Sequence, residues 1–137
     1  MCYIFKFGGG ILIIDYGYIK EKMKNTLRGI QSHKIVNILS NYKECDITYS
    51  LAFNFFKKVG KKYKLKVSGL TTQGNFLKNL GIIYRAEIVS KNLPFTKKAD
   101  IYYRINKLID KKLMGDVFKV MLLTNDKTNF NIGFESD

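Results

Sequence analysis

Gly8-Gly9-Gly10-Ile11-Leu12-Ile13-Ile14-Asp15-Tyr16-Gly17 is the stretch whose reading decides the fold. A glycine run feeds four consecutive aliphatic residues, which end in an acid, an aromatic ring and another glycine. An unbroken apolar run of this length, rich in β-branched residues and bounded by turn residues, predicts a strand buried on both faces, as in parallel sheets. In open α/β sheets the ligand crevice lies beyond the carboxyl ends of such strands. Asp15, Tyr16 and Gly17 therefore stand where chemistry is expected.

Around this strand the composition sets bounds. The 137 residues make one domain or part of one, and 46% hydrophobic residues with ten Phe are enough to bury a core. A net charge of +13 raises the question of nucleic acid, since cations laid along phosphates are rewarded by counterion release. The cations are nearly all Lys, however, with only Arg28, Arg85 and Arg104 to give the bidentate contacts that recognition favours. Lys enriched together with Ile, Asn, Tyr and Phe is the coding bias of an AT-rich genome, so a nucleic-acid partner is disfavoured. Cys2 and Cys45, with no CxxC spacing and a single histidine, supply neither a disulfide framework nor a zinc site. They point to a reducing, cytoplasmic setting. The first fourteen residues are interrupted by Lys6, fall short of a membrane span of ~20 residues and lack the marks of a signal peptide, so no membrane insertion is expected.

Along the chain, residues 1–7 alternate loosely and read as an extended lead-in. Tyr18 to Asn41 mixes Met23, Leu27 and Ile30 at helical spacing with an interrupting Gly29, and reads as loop with short regular pieces; His33, the only histidine, lies here. Asp46-Ile47-Thr48 offers capping groups for a helix start. Leu51, Phe55, Phe56 and Val59 then supply an apolar face, and Gly60 a C-terminal stop. Tyr63 to Val67 alternates apolar residues with Lys62, Lys64 and Lys66, which predicts a strand with one lysine-covered face. Thr71-Thr72-Gln73 caps a short helix closed by Gly81; Ile82 to Ser90 forms another, and Asn92-Leu93-Pro94 breaks it. Thr96 opens a longer helix with Ile101, Tyr102, Ile105, Leu108 and Ile109 on its apolar stripe. Leu113-Met114-Gly115 turns the chain into a last strong strand, Val117 to Leu123, where Lys119 is expected to snorkel to an edge. Residues 125–137 carry little signal.

Several of these landmarks, in order, resemble one family. Gly9-Gly10 to Asp15-Tyr16-Gly17, Thr26-Leu27-Arg28 with His33, Asp46-Ile47-Thr48 with Phe53, Thr72-Gln73-Gly74 with Phe76-Leu77, Leu80-Gly81-Ile82, and Met114-Gly115 with Phe118-Lys119-Val120 are similar to the C-terminal half of the MidA-type methyltransferases. One member of that family assists assembly of respiratory complex I. The resemblance implies the C-terminal portion of a class I, Rossmann-like methyltransferase sheet with flanking helices, so that residues 1–137 are a single partial domain. Gly10 to Asp15 would be the fifth strand, Tyr63 to Val67 the sixth, and Val117 to Leu123 the seventh, antiparallel between the other two. It also implies S-adenosylmethionine as the cofactor of the parent enzymes and a protein, through its arginine, as their substrate.

The family's cofactor-holding glycine turn follows a strand and opens a helix, whereas Gly8 to Gly10 precedes its strand. The chain alone is thus expected not to bind the cofactor. The family pattern has Asp where this chain has Asn25, and His and Asp where it has Ser50 and Ala52, so three polar groups that could hold substrate are replaced. Methyl transfer rests on positioning the nucleophile and shaping the charge around it. On that basis the catalytic candidates are Asp15, Tyr16 and His33, and the substrate-binding candidates Gly17, Asp46 and Gln73. Each has a plainer alternative: Asp15 as a turn cap, Tyr16 as core, His33 as a structural hydrogen-bonding residue, and Asp46 and Gln73 as helix-start residues. Three functional readings follow: an inactive fragment, one subunit of a split enzyme completed in trans by an N-terminal methyltransferase half, or a basic nucleic-acid-binding module.

Overall fold

Two glycines in left-handed conformations, Gly8 (φ 82°) and Gly9 (φ 111°), end a short helix, α1 (Tyr3–Phe7), and release the first strand, β1 (Gly10–Tyr18). The structure is a computed structural model that describes residues 3–19 and 25–134. Met23 and Cys2 lie outside the described residues. After β1 come β2 (Arg28–Gln31), β3 (Lys34–Val36), α2 (Ile38–Asn41), β4 (Asp46–Thr48), β5 (Leu51–Ala52) and α3 (Phe53–Lys62). The remainder is β6 (Lys66–Thr72), α4 (Gln73–Asn79), α5 (Ile82–Ser90), α6 (Phe95–Ile109), α7 (Met114–Val117) and β7 (Phe118–Thr124).

The main sheet has the order β5-β1-β7-β6, and β7 is antiparallel to both of its long neighbours. A second, three-stranded antiparallel sheet has the order β3-β2-β4. The last strand thus lies between β1 and β6. Flanked on both edges, β7 is buried from Lys119 to Thr124. Met121 and Leu123 on one face meet Phe53 and Leu65, with Ile4, Ile13, Leu51, Phe56, Val67 and Leu70 packed around them. Full burial of side chains of this size contributes about 1.5–3 kcal/mol each. Gly60 lies inside α3 rather than after it, because a Cβ there would come 3.0 Å from Leu123 Cδ2.

β1 itself is not buried on both faces. Ile11, Leu12, Ile14 and Tyr16 remain 40–50% exposed. The cause is twofold: among the described residues β5 pairs only with Gly17 and Tyr18, so no strand lies along the outer edge from Gly10 to Tyr16, and the strands that α4 and α7 contact are chiefly β6 and β7.

Other expectations are corrected as well. The lead-in is helical, closed by Gly8 N–H donating to Ile4 O at 2.9 Å. Within the segment read as loop with short regular pieces, residues 28–36 form a regular hairpin. Asp46 to Thr48 is strand, since β4 pairs with β2, and the helix beyond it begins at Phe53 with no side-chain cap. The lysine alternation does not start a strand at Tyr63. Lys64, at φ 56°, turns the chain out of α3, and β6 starts at Lys66. Lys119 is buried rather than snorkelling, its Nζ donating to Asp116 O and, at 3.2 Å, to Asp116 Oδ1.

The tail, quiet in sequence, is packed: the Phe134 ring lies 5.0 Å from that of Phe76. Buried Asn125 donates to Ile4 O at 3.1 Å and accepts from Thr128 Oγ1 at 2.6 Å, tying the end of β7 to the α1–β1 junction.

Candidate functional site

The carboxyl ends of β1 and β6 flank the start of β7, to which both run antiparallel. Cross-strand register places Asp15, Lys119 and Thr72 in one row. The next position pairs Tyr16 with Phe118, whose rings stack at 4.2 Å. Asp15 Oδ1 accepts from the Tyr16 amide at 2.7 Å, so part of its capacity is spent on its own strand. Gly17 is glycine for a steric reason: a Cβ would sit 2.3 Å from Phe53 Cε2 and 2.7 Å from Leu51 O. Gln73, which opens α4, donates from Nε2 to Leu108 O at 2.9 Å and so anchors the end of α6.

Asp15, Tyr16, Gly17 and Gln73 therefore share one end of the main sheet. His33 and Asp46 belong to the other sheet. His33 is exposed at the tip of the β2–β3 hairpin, where Ser32 (φ 49°) and His33 (φ 63°) form the two-residue turn. Asp46 is an exposed β4 residue facing Ile30 in the ladder.

Beyond the carboxyl ends of the parallel pair β1 and β5 opens a cleft of about 730 Å³. Tyr18, Asn25, Thr26, Leu27, Tyr49, Ser50, Leu51, Ala52, Phe55 and Phe56 line it. Two hydrogen bonds hold its walls. The Ser50 amide donates to Thr26 Oγ1 at 3.0 Å, and Asn54 Nδ2 donates to Ile19 O, pinning the first turn of α3 to the exit of β1. The lining has four aromatic rings and a few neutral polar groups, with no acid or cation among these residues. Such a surface suits a flat or cationic side chain held against ring faces.

None of the six candidates named from sequence is among the lining residues. The three positions at which the chain departs from the family pattern, Asn25, Ser50 and Ala52, all are. The signal that could have found the cleft was thus in the departures rather than in the titratable residues.

The residues present do not make a complete site for the implied cofactor. Gly8 and Gly9 enter a strand instead of leaving one, with Gly9 N–H taken by Thr128 Oγ1 at 3.2 Å, and the space above Gly17 is filled by Phe53. Among the described residues no glycine-rich turn links a strand's carboxyl end to a helix. No chemical step is therefore routed through that cofactor here.

A mixed sheet flanked by helices, with a cleft at the carboxyl ends of its parallel strands, defines an α/β domain, the class in which ligands commonly sit at that place. Residues 3–71, half of the chain, match the family model described as a putative S-adenosyl-L-methionine-dependent methyltransferase, and the chain belongs to that family. It is 33% identical over 114 residues to the protein arginine methyltransferase NDUFAF7, mitochondrial, of Xenopus tropicalis, which covers 82% of this chain and 26% of the relative. The human protein of the same name is 29% identical over 118 residues, covering 85% and 26%. The chain thus spans about a quarter of the length of the curated relatives it matches.

Among solved structures, an uncharacterised protein from Burkholderia thailandensis matches with a TM-score of 0.77 at 25% identity, covering 93% of this chain and 36% of that one. A likely methyl transferase from the same organism, bound to S-adenosyl-homocysteine, shares the fold with a TM-score of 0.70 at 24% identity. The compartment read from the cysteines is corrected by the relatives, which are named as mitochondrial rather than cytoplasmic. Reduced thiols do not separate those two compartments. Among the described residues no helix is long and apolar enough to cross a membrane.

Proposed function

We propose that this chain is the C-terminal, substrate-side portion of a mitochondrial S-adenosylmethionine-dependent protein arginine methyltransferase, and that by itself it neither holds the cofactor nor transfers a methyl group. The observation that carries the reading is β7 lying antiparallel between β1 and β6, with the cleft opening where β1 ends. In this reading the strands are the fifth, seventh and sixth of the methyltransferase sheet.

The cleft receives the methyl-accepting side chain. Tyr18, Tyr49, Phe55 and Phe56 give it ring faces, while Asn25 and Ser50 give neutral hydrogen-bonding groups. Displacement at a sulfonium carbon needs a nucleophile that is oriented and stripped of water, and such a wall serves both needs. Asp15, Gly17 and Gln73 do not line the cleft, so orientation of the nucleophile falls to Asn25 and Ser50. What this wall lacks is an acid, which would hold a guanidinium more firmly than an amide does.

The test is a chimera in which this chain replaces the matching stretch of the Xenopus tropicalis relative. The chimera is expected to bind S-adenosyl-homocysteine in a calorimetric titration while the 137-residue chain alone gives no heat. Asn25→Asp combined with Ser50→His and Ala52→Asp is expected to raise its methyl transfer to protein arginine at least tenfold. Binding of the cofactor by the chain alone, or a folded, cofactor-binding chimera with no transfer even after the triple substitution, overturns the proposal.

A further inference from the structure

α3 has two faces of opposite kind. Phe53 and Gly60 are buried against the sheet, whereas Lys57, Lys58, Lys61 and Lys62 are all exposed, and exposed Lys64 and Lys66 continue the run beyond the helix. No acid answers them: from Ile47 to Ala86 the chain holds eight Lys or Arg and no Asp or Glu. Among the described residues none of the six lysines enters an ion pair, the pairs found being Arg104 with Asp100 and Lys119 with Asp116. The helix itself does not call for this charge. Lys57 with Lys61, and Lys58 with Lys62, are like charges one turn apart, an arrangement that destabilises a helix. The helix dipole accounts for Lys61 and Lys62 in the last turn, but not for Lys57 and Lys58 a turn earlier.

The place of this face ties it to the cleft. Phe55 and Phe56, near the start of α3, line the cleft, and Phe55, Lys58 and Lys62 follow at helical spacing on one outward side. A row of cations therefore leads away from the rim. Lys62 lies about 10 Å along the axis from Phe55, a distance that an extended peptide covers in about three residues. The cleft lining holds no acid or cation, so selection by charge is left to this row. We infer that the lysine row of α3 is a docking track for an acidic segment of the methyl-accepting polypeptide, with carboxylates about two to five residues from the arginine that enters the cleft. This rests on the methyltransferase reading above and narrows its substrate to an arginine beside Asp or Glu. Flexible ammonium groups suit carboxylates spread along an extended segment. Nucleic acid fits less well, because the run contains no Arg, the residue that favours two-point contacts with phosphates and bases. A membrane surface also fits less well: an interfacial helix needs a row of exposed apolar side chains, and in α3 Phe55 is the large one that is exposed.

The probe is a fluorescent peptide with a central arginine flanked on both sides by Asp, beside its counterpart with Asn for every Asp, titrated by anisotropy into the full 137-residue chain. The acidic peptide is expected to bind at least tenfold more tightly, with an advantage that shrinks as added salt shortens the screening length. Lys58→Gln with Lys62→Gln is expected to remove most of that advantage and to leave binding of the Asn peptide unchanged. Its unfolding midpoint should not fall, since one like-charged pair is gone. Lys97→Gln with Lys107→Gln takes the same charge from exposed positions on α6 and is expected to change binding less than twofold. Equal binding of the two peptides, no binding of either, or equal loss in the two double variants overturns the inference. So does tighter binding of a polynucleotide or of phosphatidylserine vesicles that is lost with Lys58 and Lys62. A chimera with the triple substitution that methylates both peptides equally well overturns the docking track and leaves the methyltransferase reading standing. Preference for the acidic peptide that depends on Lys58 and Lys62, beside an inactive chimera, keeps the acidic docking surface and overturns the methyltransferase reading.

Discussion

Gly17 shows how a residue can stand at a site without touching a ligand. Its place after Asp15 and Tyr16 marks it as a site residue, but the ring of Phe53, itself fully buried, occupies the space a side chain would need. Gly17→Ala is expected to cost about 2 kcal/mol or more, the usual penalty for overpacking against a fixed ring. A urea unfolding curve with an unchanged midpoint would refute this. His33 raises the opposite question, since a lone histidine attracts a catalytic role. It is the second of two positive-φ residues in a two-residue hairpin, a turn that favours Asn-Gly. Ser32→Asn with His33→Gly is expected to stabilise the chain by about 1 kcal/mol and to leave methyl transfer by the chimera unchanged. A large loss of transfer at equal stability would restore His33 to the catalytic list. At this scale the sequence was legible where chemistry is local. Asp15 at a strand end and Thr72 as a cap, accepting from the Asn75 amide at 3.3 Å, were both readable. The cleft was not, because Asn25, Tyr49, Ser50 and Phe55 meet only after three separate segments have folded together.

At the scale of elements, the errors of reading share a physical origin. Asp46-Ile47-Thr48 has the side chains of a cap, but its backbone is claimed by β2, about eighteen residues upstream, through the pairs Arg28 with Thr48 and Ile30 with Asp46. Non-local pairing outweighs local capping and leaves no trace in a short window. The α3 stop is a second case. Gly60 carries the usual stop signal, yet the helix runs through it because Leu123 needs the room. The helix ends instead in a Schellman pattern, Leu65 N–H to Gly60 O at 2.8 Å and Lys64 N–H to Lys61 O at 3.0 Å, with Lys64 in the left-handed conformation. A lysine there bears a steric cost that glycine does not. Lys64→Gly is therefore expected to raise stability by about 0.5–1 kcal/mol, the left-handed penalty less glycine's extra unfolded-state entropy. Thermal unfolding by circular dichroism checks it, and a drop in midpoint would mean that the Lys64 side chain contributes more than its backbone strain costs. The helices α4, α5 and α6, by contrast, lie close to where the sequence places them, although only α4 has a side-chain cap, Thr72, α6 starts at Phe95 rather than Thr96, and Tyr102 of its expected apolar stripe is exposed.

For the whole molecule, two features pull in opposite directions. The open, apolar edge and faces of β1 favour sticking, and the net charge of +13 opposes it. Repulsion between exposed charges falls as salt shortens the screening length from about 10 Å at 0.1 M to about 3 Å at 1 M, whereas burial of apolar surface does not depend on such screening. The chain without a partner is therefore expected to be dispersed at low ionic strength and to form polydisperse assemblies as NaCl is raised from 50 mM to 500 mM. Ile14→Lys should suppress those assemblies by placing a charge on the exposed face beside the edge. A basic nucleic-acid-binding module would give the contrary salt signature, with binding to DNA or RNA that weakens steeply over the same range as released counterions lose their advantage. Light scattering on the chain alone, paired with a polynucleotide titration at the same two salt concentrations, separates the cases. Association that grows with salt and disappears in the lysine variant places the active surface at β1. Salt-sensitive polynucleotide binding by a chain that stays monodisperse throughout would place it among the lysines instead.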